Sequence, residues 1–359
     1  MSKIIIIGVS HHNTLGMIRC VGFAGYRADL VLIDGYKSFL SKSKYLDKVY
    51  YIDSIDKLKS FFDTHYIEGN EKSIIISCTD QVESFLDIEY ETLNNRFFFF
   101  NSGEKGLVTY YMNKQVQTQL AKENGISVPK SFEYSGDISE AIYPCLLKPV
   151  QSICGGKQVV ICQNKNELKS GLSFFNSGDV VLVQQFLQKE HEIVVLGLSV
   201  NGNVSIPGYI LKHRDFNGGT LYSTVKSINS LDSELVDNCK AMVRTMHYEG
   251  LFGIEFIYCN GRYYFIEINL RNDATTYALA VAGVNLPQTY IKAKVDGSEL
   301  PKTYEVKELQ SIVEFNDFKH RCSFGVSTIQ WLKQFLNAKC KYYFCWKDPI
   351  PFFLAPFKR

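Results

Sequence analysis

Two apolar runs joined by Asn-Gly make up GLFGIEFIYCNGRYYFIEINLR, residues 250–271. This pattern predicts a β-hairpin that turns at the Asn-Gly dipeptide. In the second run Glu267, Asn269 and Arg271 occupy alternate positions, so a strand places them on one face. Glu255 in the first run can then lie opposite Glu267. A face with these charges is either solvated or in need of a ligand.

The charges of this hairpin predict a site for a metal ion and a phosphate. Two opposed carboxylates repel each other unless a cation compensates them. Carboxylate and amide oxygens suit Mg²⁺, which makes Glu255, Glu267 and Asn269 the candidate metal ligands. Arg271 on the same side is suited to holding a phosphate. The alternative is the solvated face of an edge strand.

A second candidate phosphate site lies in YPCLLKPVQSICGGKQVVIC, residues 143–162, which predicts a strand, a glycine-containing loop and a strand. Lys148 ends the first strand, and Gly155, Gly156 and Lys157 lie in the loop. Glycine lets backbone amides approach phosphate oxygens, and lysine adds a positive charge. The P-loop pattern is absent, so an ordinary β-turn is the alternative.

The first hundred residues predict a doubly wound parallel sheet, because strands alternate with helices. The predicted strands are KIIIIGV (3–9), ADLVLID (28–34), KVYYID (48–53) and KSIIISCTD (72–80). The loop after the first strand lacks a complete G-x-G-x-x-G, so a nicotinamide or flavin site is not favoured. His11 and His12 in that loop are either solvated or in contact with a substrate.

Three later segments complete the prediction. TYYMNKQVQTQLAKENGI (109–126) predicts one helix, and DVVLVQQFL (179–187) predicts a strand. HEIVVLGLSVNGNVSIPGYIL (191–211) predicts a hairpin that turns at Asn201-Gly202.

The composition indicates a globular protein, since 46% of its 359 residues are hydrophobic and 21% are charged. A net charge of +2 gives no argument for nucleic-acid or membrane partners. The ten cysteines include no C-x-x-C pair, which argues against a zinc ribbon. Without a long apolar run or a signal-peptide core, we expect a cytoplasmic protein with free thiols.

Taken together, these motifs resemble the ATP-grasp superfamily. YPCLLKPVQSICGGKQVVI is similar to its phosphate lysine and loop, VLVQQFL to its adenine hinge strand, and GLFGIEFIY with FIEINLR to its metal-binding strands. This sequence departs from the family pattern at Leu270, Gln158 and Gln184-Gln185, where proline, glycine and an acidic residue are common. Weaker motifs, SKSKYLDKVYYID and WKDPIPF, resemble carboxylate–amine ligases of the D-aspartate ligase kind.

The resemblance implies an α/β fold of the α+β ATP-grasp type. A Rossmann-like pre-ATP-grasp domain is expected over residues 1–107. The two lobes of the ATP-grasp domain are expected over 108–190, the nucleotide lid, and 191–300, the metal and substrate site. Residues 301–359 are expected to form an extension that packs on the body.

The resemblance also implies roles for individual residues. Glu255, Glu267 and Asn269 match its magnesium ligands. Arg271 matches the arginine that steadies the transferred phosphate, and Lys148 shares this catalytic role. The implied nucleotide contacts are Lys114, Lys148, Gly155, Gly156, Lys157, Gln184, Gln185, Leu187 and Glu192.

The polar stretch LKHRDFNGGTLYS (211–223) is interpreted as a loop that faces the acceptor substrate in this fold. Lys212, Arg214 and Asp215 are its candidate substrate-binding residues, and a solvated loop is the equal alternative. The remaining histidines are interpreted as surface or structural residues: His191, His247 and His320.

The implied activity is an ATP-dependent ligation of a carboxylate to an amine. ATP first phosphorylates the carboxylate, and the amine then attacks the acyl phosphate, with an amino acid on one side of the reaction. The implied cofactors are ATP and Mg²⁺, with Mn²⁺ as an alternative metal. The implied partners are small carboxylate and amine substrates, with no nucleic acid, no membrane and a homodimer as the default assembly. The alternatives are a carboxylase-like or kinase-like ATP-grasp activity and a nucleotide-binding module without catalysis.

Overall fold

The structure is a computed structural model, and its helices, strands and sheets are assigned over most of the chain. The described residues are 2–35, 37–66, 71–149, 159–175 and 180–357. Within these ranges the chain forms three sheets with helices packed around them.

The first unit, residues 4–98, is a parallel sheet in the strand order β3-β2-β1-β4-β5. It comprises β1 (Ile4–Gly8), α1 (His12–Phe23), β2 (Ala28–Leu32), β3 (Leu46–Tyr51), α2 (Leu58–His65), β4 (Ser73–Ser77), α3 (Asp80–Ile88), α4 (Tyr90–Leu93) and β5 (Phe97–Phe98). Alternate residues of β1 enter two separate apolar cores, with Ile4 and Ile6 on one side and Ile5 and Ile7 on the other. The predicted parallel sheet with two covered faces is therefore confirmed.

The second sheet has the antiparallel strand order β6-β9-β7-β8. Its unit comprises α5 (Leu107–Tyr111), α6 (Lys114–Glu123), β6 (Ser131–Glu133), β7 (Cys145–Pro149), β8 (Val160–Cys162), α7 (Lys165–Leu172) and β9 (Val181–Gln185). The prediction of a single helix over 109–126 is wrong. Asn113 interrupts it, because its side chain accepts hydrogen bonds from the backbone amides of Gln115 (2.9 Å) and Val116 (3.3 Å) and so begins a new helix.

The third sheet has the order β14-β13-β10-β11-β12-β15-β16. Its unit comprises β10 (His191–Val200), β11 (Asn203–Phe216), β12 (Gly219–Ser227), α8 (Ser233–Thr245), β13 (Gly250–Cys259), β14 (Arg262–Asn269), α9 (Thr276–Val281), α10 (Leu286–Asp296), β15 (Leu309–Ile312), α11 (Glu314–His320), α12 (Thr328–Asn337), β16 (Cys340–Lys341) and α13 (Ile350–Leu354). Strands β15 and β16, which come from the segment after residue 300, extend the sheet.

Three hairpins of this sheet turn at Asn-Gly. Asn201, Asn217 and Asn260 have φ values of 50°, 49° and 49°, and the glycine after each also has a positive φ. A two-residue turn with this conformation matches the twist of the flanking strands. The turns at Asn201 and Asn260 were predicted. The prediction of a polar loop over 211–223 is wrong, because these residues form the ends of β11 and β12 and the turn at Asn217.

The search for membrane-spanning segments in the described residues found no helix of the required length and hydrophobicity.

Candidate active site

The β13–β14 hairpin brings the predicted metal ligands together. Glu255 lies directly opposite Glu267 in the strand register, and Asn269 lies opposite Gly253. The Asn269 amide nitrogen donates a hydrogen bond to Glu255 Oε1 (3.3 Å), and the Arg271 guanidinium donates to Asn269 Oδ1 (3.1 Å). These four polar side chains line one cavity of about 740 Å³. The sequence prediction that they share a face is confirmed.

Two lysines compensate the two carboxylates. Lys212 Nζ lies 2.7 Å from Glu255 Oε2 and 3.4 Å from Glu192 Oε2. Lys114 Nζ lies 2.8 Å from Glu267 Oε2. Burial alone lowers the pKa of Lys212, but these carboxylates raise it above its ordinary value. Lys212 therefore contributes a buried positive charge to the lining of the cavity.

Glu255 is a buried carboxylate whose charge Lys212 only partly stabilises. Burial raises the pKa of Glu255, Lys212 lowers it, and the charges of Asp273 and Glu267 raise it again, so that it stays above its ordinary value. A cation bound between Glu255 and Glu267 would remove this cost. The cavity is therefore electrostatically suited to a divalent metal ion.

The donor chemistry of the cavity fits Mg²⁺. Among the described residues, no group of three or more His, Cys, Asp and Glu side chains is placed to hold a metal ion. The set of Glu255, Glu267 and Asn269 supplies two carboxylates and an amide. Mg²⁺ commonly binds one or two carboxylates and fills its remaining positions with water and phosphate oxygens. These three residues would hold the ion.

Arg271 is oriented by a residue that the sequence analysis did not select. Asp80, the first residue of α3, accepts hydrogen bonds from Arg271 Nε (2.6 Å) and a terminal nitrogen (3.4 Å). Burial lowers the pKa of Arg271, but Asp80 and neighbouring carboxylates raise it above its ordinary value. The available signal was that Asp80 ends KSIIISCTD, since a crevice forms at the carboxyl ends of parallel strands.

Paired asparagines connect the first unit to the end of β14. The Asn13 amide nitrogen donates to the backbone oxygens of Cys78 (3.1 Å) and Asn272 (3.3 Å), and the Asn272 amide donates to Asn13 Oδ1. This connection places the first turn of α1 beside Arg271. His11 and His12 line the same cavity, which supports their interpretation as substrate contacts.

Lys114 and Lys148, the two lysines predicted to bind ATP phosphates, lie near each other. Burial lowers the pKa of Lys148, the charge of Lys114 lowers it further, and Glu267 opposes both effects. A pair of close lysines beside Glu267 is suited to phosphate oxygens. The predicted loop residues Gly155, Gly156 and Lys157 lie outside the described residues.

The predicted adenine hinge lies between the second and third sheets. Gln184 and Gln185 end β9, Leu187 follows them, and β10 begins four residues later. Glu192 accepts a hydrogen bond from Lys189 at 2.9 Å and also faces Lys212. These predicted nucleotide contacts therefore follow one another along the chain from the end of β9 to the start of β10. Their roles stay predictions.

The structure does not bring Arg214 and Asp215 to the cavity. Two guanidinium nitrogens of Arg214 donate to the buried carboxylate of Asp317 at 2.8 and 2.7 Å, and Asp215 lies 3.2 Å from Lys189. Arg214 thus holds α11 to the sheet, and of the three substrate candidates Lys212 alone lines the cavity. Asp317 is 103 positions away in the sequence, so no local pattern could indicate this pairing.

The C-terminal segment contributes to the cavity, which the sequence analysis did not predict. Asn316, His320 and Tyr342 are among the lining residues. His320 was interpreted as structural, and its position corrects that interpretation. The sequence offered no signal for it, because the pairing of β15 with β12 and the ion pair of Arg214 with Asp317, both between distant parts of the chain, carry α11 to this place.

Comparison with known proteins identifies the domain that holds this cavity. Residues 111–276 match the family model described as an ATP-grasp domain. The carbamoyl phosphate synthase large chain of Clostridium acetobutylicum is 26% identical over 180 residues, which are 47% of this chain and 16% of the relative. The chain therefore spans about a sixth of that relative's length.

Solved structures share the fold at low sequence identity. The L-amino acid ligase of Bacillus licheniformis superimposes with a TM-score of 0.64 at 15% identity, covering 86% of this chain and 79% of the ligase. The N5-carboxyaminoimidazole synthetase of Staphylococcus aureus, complexed with ADP, gives 0.66 at 15% identity, covering 90% and 86%. The matched family model, the shared fold and the motifs of the β13–β14 hairpin agree. Residues 111–276 therefore match an ATP-grasp domain, as the resemblance of the motifs predicted.

Proposed function

We propose that this protein is an ATP-dependent ligase that joins a carboxylate to an amine through an acyl phosphate, with an amino acid as one substrate. One observation carries the proposal. Glu255, Glu267, Asn269 and Arg271 converge on one cavity, with Lys212 in its wall and Lys114 bound to Glu267. Phosphoryl transfer asks a protein for positioning and charge neutralisation, and this cavity supplies both.

Each side chain then has a definite task. Bound Mg²⁺ would neutralise phosphate charge, and Glu255, Glu267 and Asn269 would hold it. Lys114 and Lys148 hold phosphate oxygens, because both lie beside Glu267. Arg271, fixed by Asp80, is placed to stabilise the negative charge of the transferred phosphate and of the acyl phosphate. The amine attacks this acyl phosphate, an amide forms and phosphate leaves.

The similarity to the ligase and synthetase structures supports this reaction class over a module without catalysis. A binding module does not need the paired carboxylates, whose repulsion costs stability when no cation is present. A carboxylase-like activity remains the second candidate, since N5-carboxyaminoimidazole synthetase shares the fold. The two reactions differ in the substrate that ATP turnover requires.

The test is phosphate release from ATP and Mg²⁺ by the full chain, with L- and D-amino acids supplied singly and in pairs. Release that requires a carboxylate together with an amine, with ADP formed, is expected. Release that requires bicarbonate in place of an organic carboxylate identifies the carboxylase-like reaction instead. Binding of MgADP without turnover under any of these conditions contradicts the ligase.

The matched variants are Glu267→Gln and Glu123→Gln. The first removes the negative charge of a proposed metal ligand without changing the side-chain volume, and we expect turnover to fall about 100-fold or more. The second changes an exposed glutamate on α6 and should leave turnover unchanged. Thermal unfolding of both variants checks that the fold is intact. A folded Glu267→Gln protein with normal turnover would refute the metal assignment.

A further inference from the structure

The residues that line the cavity fall into two chemically different sets, here called the charged wall and the ring wall. The charged lining residues are Lys212, Glu255 and Glu267 of the third sheet, Arg271 and Asp273 shortly after β14, and Asp80 at the start of α3. The ring wall comes from residues 9 and 11–13, residues 216–221, and residues 316, 320 and 342. Among the described residues of the ring wall there is no Asp, Glu, Lys or Arg.

Aromatic rings dominate the ring wall. Phe216, at the end of β11, stacks on His320 of α11 with ring centroids 3.7 Å apart and planes 20° apart. His11 and His12 lie 3.9 Å apart, and the edge of Tyr342 meets His12 at 5.3 Å. Phe216 is 43% exposed, which is unusual for a large apolar side chain at a cavity. Its exposed surface is available to a ligand.

The histidines at the start of α1 add no charge to this wall. Burial lowers the pKa of His12, and neighbouring His11 lowers it further. Burial also lowers the pKa of His11, with a smaller contribution from Arg271. His12 is only 7% exposed, and its Nδ1 has no hydrogen-bond partner in the described part of the chain.

We propose that the ring wall is the subsite for an uncharged aromatic or heteroaromatic ring, so that the amino acid substrate carries such a side chain. This inference rests on the proposed ligase function. Stacking on the rings of Phe216 and His320 favours a flat group. A charged side chain would lose its hydration here without gaining a partner. The charged wall suits the other end of an amino acid, because Arg271 complements its carboxylate and Asp80 or Asp273 complements its ammonium group.

The test is calorimetric binding of four amino acids that differ only in the side chain: phenylalanine, leucine, glutamate and lysine, each in its L and D forms. The full chain is titrated with and without MgADP. Phenylalanine should bind about tenfold more tightly than leucine, because two ring contacts add to the burial of apolar surface. Glutamate and lysine should bind more weakly still. Equal affinities, a preference for a charged side chain, or no binding of any of the four overturns the inference.

Variants localise the preference. Phe216→Ala and His320→Ala each remove half of a stacked pair that is partly exposed, so both should fold. Each should lose the preference for phenylalanine over leucine and keep its affinity for MgADP. Trp346→Ala, which removes an 85% exposed ring that does not line the cavity, should keep the preference. A preference that survives in both cavity variants places the ring elsewhere and overturns the inference.

The same titrations separate this inference from the proposed function. Failure to bind MgADP contradicts the proposed ligase, whatever the amino acids do. Normal MgADP binding without a ring preference contradicts the ring wall alone and leaves the ligase proposal standing.

Discussion

Glu83 is a carboxyl group enclosed by the first unit. It is fully buried on α3, where Ser77 Oγ donates to its Oε2 and its Oε1 has no partner among the described residues. Burial raises the pKa of Glu83 well above its ordinary value, Ser77 opposes this effect, and Asp87 and Asp80 add to it. Folding therefore favours the protonated form of this residue.

This single residue makes stability depend on pH. The contribution of Glu83 to the free energy of unfolding is fully present below the pKa of an unfolded glutamate, about 4.3. This contribution is lost as the pH rises toward the pKa of Glu83 in the folded protein. Glu83→Gln keeps the shape without the ionisation. We expect the free energy of unfolding of this variant, relative to the parent, to increase by up to about 1.4 kcal/mol for each pH unit above that point.

Urea unfolding at pH 4, 5.5 and 7 measures this difference. Glu89→Gln is a control for which the opposite pH trend is expected, because Lys59 and Thr92 lower the pKa of Glu89. That variant should lose stability relative to the parent only as the pH rises through the pKa of an unfolded glutamate, about 4.3, and the difference should stay nearly constant between pH 5.5 and 7. A difference for Glu83→Gln that does not change with pH contradicts the assignment of a protonated Glu83.

At the scale of elements, helix α1 packs closely against α9. Gly16 of α1 faces Tyr277, and a Cβ added to Gly16 would lie 2.7 Å from Tyr277 Cβ. Tyr277 is buried, and its ring lies 5.9 Å from that of Tyr342. The absence of a side chain at Gly16 thus sets the distance between α1 and α9.

Gly16→Ala separates helix propensity from packing. Alanine favours a helix over glycine by about 1 kcal/mol, but overpacking at this contact costs about 1–3 kcal/mol. We expect the melting temperature to fall. Gln119→Ala, on the exposed face of α6, should leave it nearly unchanged. A higher melting temperature for Gly16→Ala would show that α9 moves away at little cost.

At the scale of the whole molecule, Arg19 joins the first unit to the C-terminal segment. This buried side chain donates to the backbone oxygens of Tyr342 (2.9 Å), Tyr343 (2.8 Å) and Asp348 (3.0 Å), and to the Asp348 carboxylate (3.2 Å). Asp348 in turn accepts from Ser43 Oγ at 2.9 Å. The network fixes Tyr342, and so it fixes part of the ring wall.

Removing this guanidinium should loosen the C-terminal segment. Arg19→Met leaves the Asp348 carboxylate buried without its cation, which costs about 3–5 kcal/mol. We expect faster hydrogen exchange over residues 340–348 and weaker phenylalanine binding, with MgADP binding much less affected. Arg27→Met is the control, because the Arg27–Asp47 ion pair is exposed and contributes about 1 kcal/mol or less. Unchanged exchange in Arg19→Met would show that β15 and β16 hold the segment without Arg19.

Sequence reasoning worked best where a signal is local. Apolar runs located four of the five strands of the first sheet, all but the two-residue β5, and Asn-Gly located two hairpins. The same dipeptide at Asn217 was overlooked because polar residues surround it, and the break at Asn113 was overlooked because the helical pattern continues across it. Both omissions concern turn and cap chemistry that the sequence does contain.

The sequence alone was sufficient to bring the proposed metal ligands together, because alternation along a strand and the length of a turn place Glu255, Glu267, Asn269 and Arg271 on one face. The partners of these residues come from distant parts of the chain. Asp80 reaches Arg271 from 191 positions away, and Asp317 withdraws Arg214 from the cavity. Such contacts depend on how separate sheets and helices pack, and packing is set by complementary surfaces that no local pattern encodes. The tertiary structure therefore assembled the ring wall and selected which charges face the substrate.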